Sequence, residues 1–274
     1  MLWTSSCKKN FSKDAQYTLL DSSMAYLKVV HASPYFRKVT GMQDTFNVYV
    51  NTTKLTGTPL SFNSLFPLGY SAISGGTSYA AVQPGVQQIR LSIPGISTVD
   101  SATILSLNKN FVAGRFYTLM ITDSIKSTSD SNKIFVQDML PVNASVGYIN
   151  FRFANVVTND SATIGSANNI NLFDVYSYAR NAVVLTKIRM DSITGFQVLA
   201  TNITTPDTFY ITRNPKATGT VLLANRVVLA KVAFIPNTSS PQPTSGSTYT
   251  FYYKGDGVLT SGTRARTLTY YVNR

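Results

Sequence analysis

The chain has 274 residues, with 24 Lys plus Arg set against 12 acidic residues, a formal net charge of +12, one Cys and one His. A single cysteine excludes an intrachain disulfide framework and a Cys-rich zinc site, and no apolar run approaches the roughly 20 residues that a helix needs to cross a bilayer. Every acid is Asp; a good helix former is therefore missing, while 16 Tyr and 15 Phe, with abundant Thr, Val and Ile, favour strands joined by turns.

Residues 1–23 read as an N-terminal tether carrying Cys7. Beyond it, alternation of apolar and polar residues recurs with the period of half-buried strands. Phe46, Val48 and Val50 face one way, with Asn47 and Tyr49 the other, and Ile89-Arg90-Leu91-Ser92-Ile93 alternates in the same manner. Tyr117, Leu119 and Ile121 oppose Thr118, Met120 and Thr122; Ile149, Phe151 and Phe153 oppose Asn150 and Arg152; Tyr249, Phe251 and Tyr253 oppose Thr248, Thr250 and Tyr252. Turn dipeptides fall between these runs, at Pro84-Gly85, Pro94-Gly95, Ala113-Gly114, Thr194-Gly195 and Ser245-Gly246, with Gly255-Asp256-Gly257 as a hairpin turn. No helical stretch separates the strands, so antiparallel sandwiches are expected rather than β-α-β units.

The two halves echo each other. Tyr26-Leu27-Lys28-Val29-Val30-His31-Ala32 lines up with Tyr148-Ile149-Asn150-Phe151-Arg152-Phe153-Ala154, and Ala113-Gly114-Arg115-Phe116-Tyr117-Thr118 with Ser245-Gly246-Ser247-Thr248-Tyr249-Thr250. The expected organisation is one β-sandwich over 24–141 and a second over 145–274, with a break near Leu140-Pro141-Val142-Asn143-Ala144-Ser145 and a Pro/Ser/Thr-rich loop over 236–247. The basic residues stand singly, as at Lys28, Lys54, Arg90, Lys109, Arg152 and Lys187, and read as solvated surface. An anionic glycan or lipid headgroup is the next reading of the charge. Nucleic acid is not expected, because no recognition helix or RNA-binding aromatic signature accompanies it.

Two resemblances add to this pattern. Thr4-Ser5-Ser6-Cys7 resembles the junction of a bacterial lipoprotein, where small residues precede a lipidated cysteine. Six residues are fewer than a secretory leader uses, so a longer start upstream of Met1 is expected, against the alternative of a lone thiol in an N-terminal tail. The segments His31-Ala32-Ser33-Pro34 and Asp44-Thr45-Phe46-Asn47-Val48-Tyr49-Val50, with Pro84 to Leu91 and Ala113 to Thr118 after them, resemble a bacterial domain-of-unknown-function family, number 4397 in that series. The closing Tyr252 to Gly257 and Leu268 to Asn273 are similar to the ends of envelope lipoproteins carrying this domain. The resemblance implies two tandem antiparallel immunoglobulin-like β-sandwiches on an exported protein, held through a lipid on Cys7 in the envelope of a Gram-negative bacterium, at the outer membrane, its periplasmic face or the cell surface. It implies no activity. His31 stands at a strand end, where an imidazole bonds a backbone carbonyl and fixes the following turn, and it reads with Ser33, Pro34 and Asp44 as structural.

Chemistry is scarce in the pattern. His31 is the single histidine, so a Ser-His-Asp hydrolase would have to run through it, and Ser33 lacks a Gly-x-Ser-x-Gly setting. Such an envelope hydrolase, drawing on His31 and Asp residues, is the alternative to a non-enzymatic protein. Asp123 to Asp130 and Asn168 to Asn171 are rich in oxygen but lack the glycine and terminal glutamate of an EF-hand, so they read as polar loops, and no metal or cofactor is expected. Asp100-Ser101-Ala102, Asp123-Ser124-Ile125, Asp160-Ser161-Ala162 and Asp191-Ser192-Ile193 resemble a bacterial O-glycosylation signal, against a chance reading in a Ser-rich chain. The candidate binding surface is Tyr35, Phe36, Arg37 and Lys38 with the loop tyrosines Tyr70 and Tyr79, since exposed tyrosines stack on sugars and anchor interfaces. The expected partners are a glycan or another envelope protein.

Overall fold

The computed structural model describes residues 21–36, 45–67, 79–93, 103–122, 133–142, 144–145, 147–159, 172–200, 206–213, 222–234 and 247–273. It is an all-β structure built as sandwiches; among the described residues the departure from strand and loop is a three-residue 3-10 turn, Leu223–Asn225. The strands of the first half are β1 (Ala25–His31), β2 (Asn47–Val50), β3 (Thr53–Lys54), β4 (Leu65–Phe66), β5 (Ala80–Val82), β6 (Gly85–Ser92), β7 (Thr103–Phe111), β8 (Phe116–Ile121) and β9 (Lys133–Asp138). They form two sheets, β4-β1-β8-β9 with β5 also on β1, and β3-β2-β6-β7.

The second half repeats the plan. Its strands are β10 (Tyr148–Thr158), β11 (Leu172–Ser177), β12 (Ala182–Arg189), β13 (Ser192–Ile193), β14 (Gln197–Ala200), β15 (Asp207–Arg213), β16 (Val227–Phe234), β17 (Thr248–Asp256) and β18 (Thr267–Val272). They pair as β13-β10-β17-β18 with β14 also on β10, and as β12-β11-β15-β16. Within each half most pairs are antiparallel, and one is parallel: β1 with β8, and β10 with β17. The strand-to-strand correspondence extends over the whole unit, and each half keeps its strands on its own side of the segment between Asp138 and Tyr148.

The alternation read from sequence produces the cores. Leu27, Val29, Tyr117, Leu119 and Ile121 from one sheet meet Phe46, Val48, Val50, Ile89, Leu91 and Leu107 from the other. In the second half Ile149, Phe151, Phe153, Tyr249, Phe251 and Tyr253 meet Phe173, Val175, Phe209, Ile211 and Phe234. Phe234 sits among Phe209, Tyr249, Phe251 and Tyr270 at ring separations of 5.1–5.9 Å, mostly edge to face, the arrangement that the ring quadrupoles favour.

The register corrects the alignment of the halves. Lys28 lies opposite Thr118 on the parallel neighbour, and Arg152 lies opposite Thr250. Lys28 is therefore the counterpart of Arg152 and His31 that of Asn155, two residues along from the alignment of Tyr26 with Tyr148. A shift of two preserves every inward and outward position, so the apolar pattern is equally satisfied by both alignments.

A third apolar cluster joins the halves. Val30, Ala32, Met120 and Ile134 from the β1 sheet pack with Ala154, Val156, Tyr252 and Tyr271 from the β10 sheet. The two sheets thus bury their second faces against each other, which is why every residue of β1 and of β17 is buried. Lys28 and Arg152, expected at a solvated surface, are 0% and 3% exposed as a result, whereas Lys54 and Lys187 are exposed as expected. The Gly255-Asp256-Gly257 turn is corrected as well: Gly255 and Asp256 finish β17, and the turn starts at Gly257. At Gly255 the backbone takes φ +99°, and a Cβ there would stand 2.3 Å from the Ala265 carbonyl oxygen, so the crossing at this point requires glycine.

Candidate functional site

Ionisable side chains converge where the two inner sheets meet. The polar positions of β1, β8, β9, β10, β17 and β18 place Lys28, Thr118, Asp138, Arg152, Thr250 and Tyr271 in this layer, with Tyr79 just before β5 and Asn273 just after β18; all are 5% exposed or less. Arg152 Nη1 donates to Asp138 Oδ1 at 2.6 Å and Arg152 Nε to Thr250 Oγ1 at 2.8 Å. Thr250 donates to Asn273 Oδ1 at 2.7 Å, Asn273 Nδ2 to the Tyr79 hydroxyl at 2.8 Å, and Tyr79 to Asp138 Oδ2 at 2.6 Å. These bonds close a ring that crosses the junction. Thr118 spans it by donating to Asp138 Oδ2 at 2.6 Å and accepting from Arg152 Nη2 at 3.2 Å.

The ring satisfies the groups that burial would otherwise penalise. Burial works against the charge of Arg152, and the adjoining Asp138 carboxylate more than restores it, so the guanidinium is more basic than a free one. Burial, reinforced by the negative charge of Asp138, pushes the Tyr79 hydroxyl well above its usual range and keeps it a donor. Lys28 stands beside the ring, its Nζ 4.9 Å from the centre of the Tyr79 ring and 5.1 Å from that of Tyr271. Burial lowers its pKa to about 7, opposed by Asp138 and assisted by the positive charge of Arg152. Lys254, further along the same layer over the Tyr252 ring, is lowered by burial to about 8. What such an arrangement does chemically is hold the two sheets in one register and bury two amines whose charged forms burial disfavours.

A second cluster closes one end of the junction. Tyr35, in the turn after β1, hydrogen-bonds to Asp256 and lies under the Arg264 guanidinium, 5.0 Å from the ring centre. Asp256 also accepts from Asn159 Nδ2 at 3.1 Å and from the Val258 amide at 2.9 Å. Partial burial pushes the Asp256 carboxyl up, and these hydrogen bonds outweigh it and hold the group below the usual carboxylate range. Beside this strap Val258 is 63% exposed and Leu259 38%.

The expected binding residues divide. Tyr35 is half-buried at the strap just described. Phe36 and Tyr79 are corrections: both were expected to be exposed, yet Phe36 is 0% exposed against the His31 and Phe46 rings, and Tyr79 is 4% exposed because its hydroxyl serves Asp138. Arg37, Lys38, Tyr70, Asp44 and Cys7 lie outside the described residues, as do both oxygen-rich loops and three of the four Asp-Ser triplets. In the fourth, Ser192 donates to the Arg189 carbonyl oxygen at 2.5 Å.

His31 is fully buried, stacked on Phe46 at 4.6 Å and flanked edge-on by Phe36 and Phe62. Its amide donates to Ser64 O and its carbonyl accepts from Asn63, while Ala32 donates to Ile121 O, so this segment ties β1 to the chain before β4 and to β8. Ser33 is 1% exposed and Pro34 is buried. Among the described residues no three His, Cys, Asp or Glu side chains come together as a metal site. Sequence reasoning missed Asp138, Thr118, Thr250, Tyr271 and Asn273 as members of one cluster. The available signal was a basic residue in mid-strand in each half, Lys28 and Arg152, each facing a Thr.

No protein-family model matches the chain, and no curated protein matches it. Among solved structures, the chain matches a leucine-rich repeat protein from Bacteroides thetaiotaomicron VPI-5482 at 12% identity, covering 78% of this chain and 25% of that one, with a TM-score of 0.18. A superposition that poor carries no argument about fold or function.

Proposed function

We propose that this protein is a non-enzymatic module of the bacterial cell envelope, two tandem immunoglobulin-like sandwiches tethered by a lipid on Cys7, that binds a glycan or another envelope protein. The observation that carries the reading is how the reactive groups are spent. His31 is packed among three aromatic rings, and Asp138, Arg152 and Tyr79 are satisfied by one another inside the junction. The end of the molecule where Tyr35 meets the 257–266 hairpin then supplies the recognition surface, with Arg264 and Arg266 beside exposed Val258 and Leu259. Aromatic, basic and apolar groups held together suit the face and the anionic substituents of a sugar, or the rim of a protein interface.

The test is a glycan array with the full chain and with a Tyr35→Ala, Val258→Ser variant that still melts cooperatively. Selective binding that the variant loses supports a glycan ligand, and adhesion to envelope fractions without saccharide selectivity supports a protein partner. Binding unchanged in the variant removes this end of the molecule from the reading. The tether is tested separately, by intact mass and detergent partitioning of protein recovered from its own cells: a mass increment at Cys7 that Cys7→Ser abolishes is expected, and partitioning unaffected by Cys7→Ser would sink it.

A further inference from the structure

Around the ring stand two cations, Lys28 and Arg152, and one anion, Asp138. Asp138 accepts from Arg152, Tyr79 and Thr118, so both carboxylate oxygens are engaged before Lys28 is counted. Among the described residues the Lys28 Nζ has no hydrogen-bond partner, and it is fully buried between two tyrosine rings. Charge among these three groups balances when Lys28 is neutral; a proton on it leaves one uncompensated positive charge buried beside the ring. The groups that face it are Asp138 from β9, Tyr79 from the segment before β5, Arg152 from β10 and Tyr271 from β18. The neighbouring strands add the hydroxyls of Thr118 on β8 and Thr250 on β17, with Tyr252 and Lys254 further along β17.

We propose that this cluster is a proton-controlled latch between the two sandwiches, closed when the Lys28 amine is neutral and loosened when it is charged. Its direction follows from linkage. The folded-state pKa of Lys28 is depressed to about 7 from 10.5, so between those values the unfolded chain binds the extra proton and stability rises with pH. Below about 7 both states are protonated and the penalty is fully present. Around neutrality a modest acidification therefore weakens the hold of one sandwich on the other, while the apolar cores on either side are unaffected.

The latch is tested on the full chain with ¹³Cε-labelled lysine, following the Lys28 resonance by NMR from pH 5 to 11 beside thermal melts at each pH. The expected result is a Lys28 midpoint near 7 and a Tm that climbs by about 5 °C between pH 6 and 9. Lys28→Met should melt higher than the parent at pH 6 and lose the climb. In Arg152→Met, Lys28 inherits Asp138 and its midpoint should move above 9. A Lys28 that stays charged through pH 9 in the parent protein overturns the latch, as does a climb that persists unchanged in Lys28→Met. Should Lys28→Met fail to fold, the parent titration alone still decides.

Discussion

The two sandwich cores and the layer between them are packed by different rules. Inside each sandwich, contacts are apolar and aromatic, and a ring such as Phe234 touches four others whose partners are interchangeable in kind. In the junction's ring, by contrast, each member answers a particular counterpart, and the circuit from Tyr79 through Asp138, Arg152, Thr250 and Asn273 is complete only with all five present. Cores fill volume, so damage to them is graded. The junction matches partners, and there an isosteric change is as harmful as a deletion. A charged layer adds little net stability over an apolar one of the same shape.

Four variants press on that contrast. Phe234→Ala should cost the most, about 4 kcal/mol by urea denaturation, because a fully buried ring leaves a cavity that its neighbours fill only in part. Phe234→Leu, which keeps much of the volume, should cost ~1 kcal/mol. Asp138→Asn tests the other rule: its shape is unchanged, yet Arg152 is left as a buried charge without a counterion, and a loss of about 3 kcal/mol is expected. If Asp138→Asn cost as little as Phe234→Leu, the distinction between the layers would collapse. The paired change Asp138→Leu with Arg152→Met should recover most of that loss at pH 9, where Lys28 is neutral, since the buried ion pair is then removed as a whole.

Gly255→Ala comes next, at ~2 kcal/mol, from a strained φ and a steric collision with the Ala265 carbonyl. The smallest effect belongs to the strap. Tyr35→Phe should cost ~0.5 kcal/mol at pH 7, a half-exposed hydrogen bond being worth little. Its sign with pH is fixed by Asp256, whose carboxyl is held below its ordinary value: the contribution is present at neutral pH and lost as pH falls through the folded-state value. Denaturation of Tyr35→Phe and parent should therefore converge once the Asp256 carboxyl is protonated in the folded protein; a gap persisting after that protonation would show that the lost bond is not to a carboxylate.

The sandwich cores were legible because alternation is a local code. Phe46, Val48 and Val50, or Tyr249, Phe251 and Tyr253, declare one inward face within five residues, and the described strands follow them. The opposite faces were misread for the same reason. Lys28, Thr118, Arg152 and Thr250 look like the polar side of half-buried strands, and nothing within a few residues says that another sheet will cover them. Arg152 finds Asp138 14 residues away and Thr250 98 residues away. Burial of a charge is set by such distant partners, so it is absent from any short window. The tyrosines misled similarly: Tyr79 occupies loop sequence, but its hydroxyl is drawn inward by Asp138, 59 residues on.

The parallel pairing of β1 with β8 and of β10 with β17 also has a consequence in time. Strand β10 emerges during synthesis with two sticky faces and must wait nearly a hundred residues for the neighbour that opposes Arg152 with Thr250. At 5–20 residues per second that is a delay of roughly 5–20 s. The hairpins β6–β7 and β15–β16, by contrast, close over short separations as soon as they appear. Each half therefore acquires its outer sheet first and stays unfinished on its inner side until its late strands arrive, leaving the most aggregation-prone surface of the nascent chain the longest exposed.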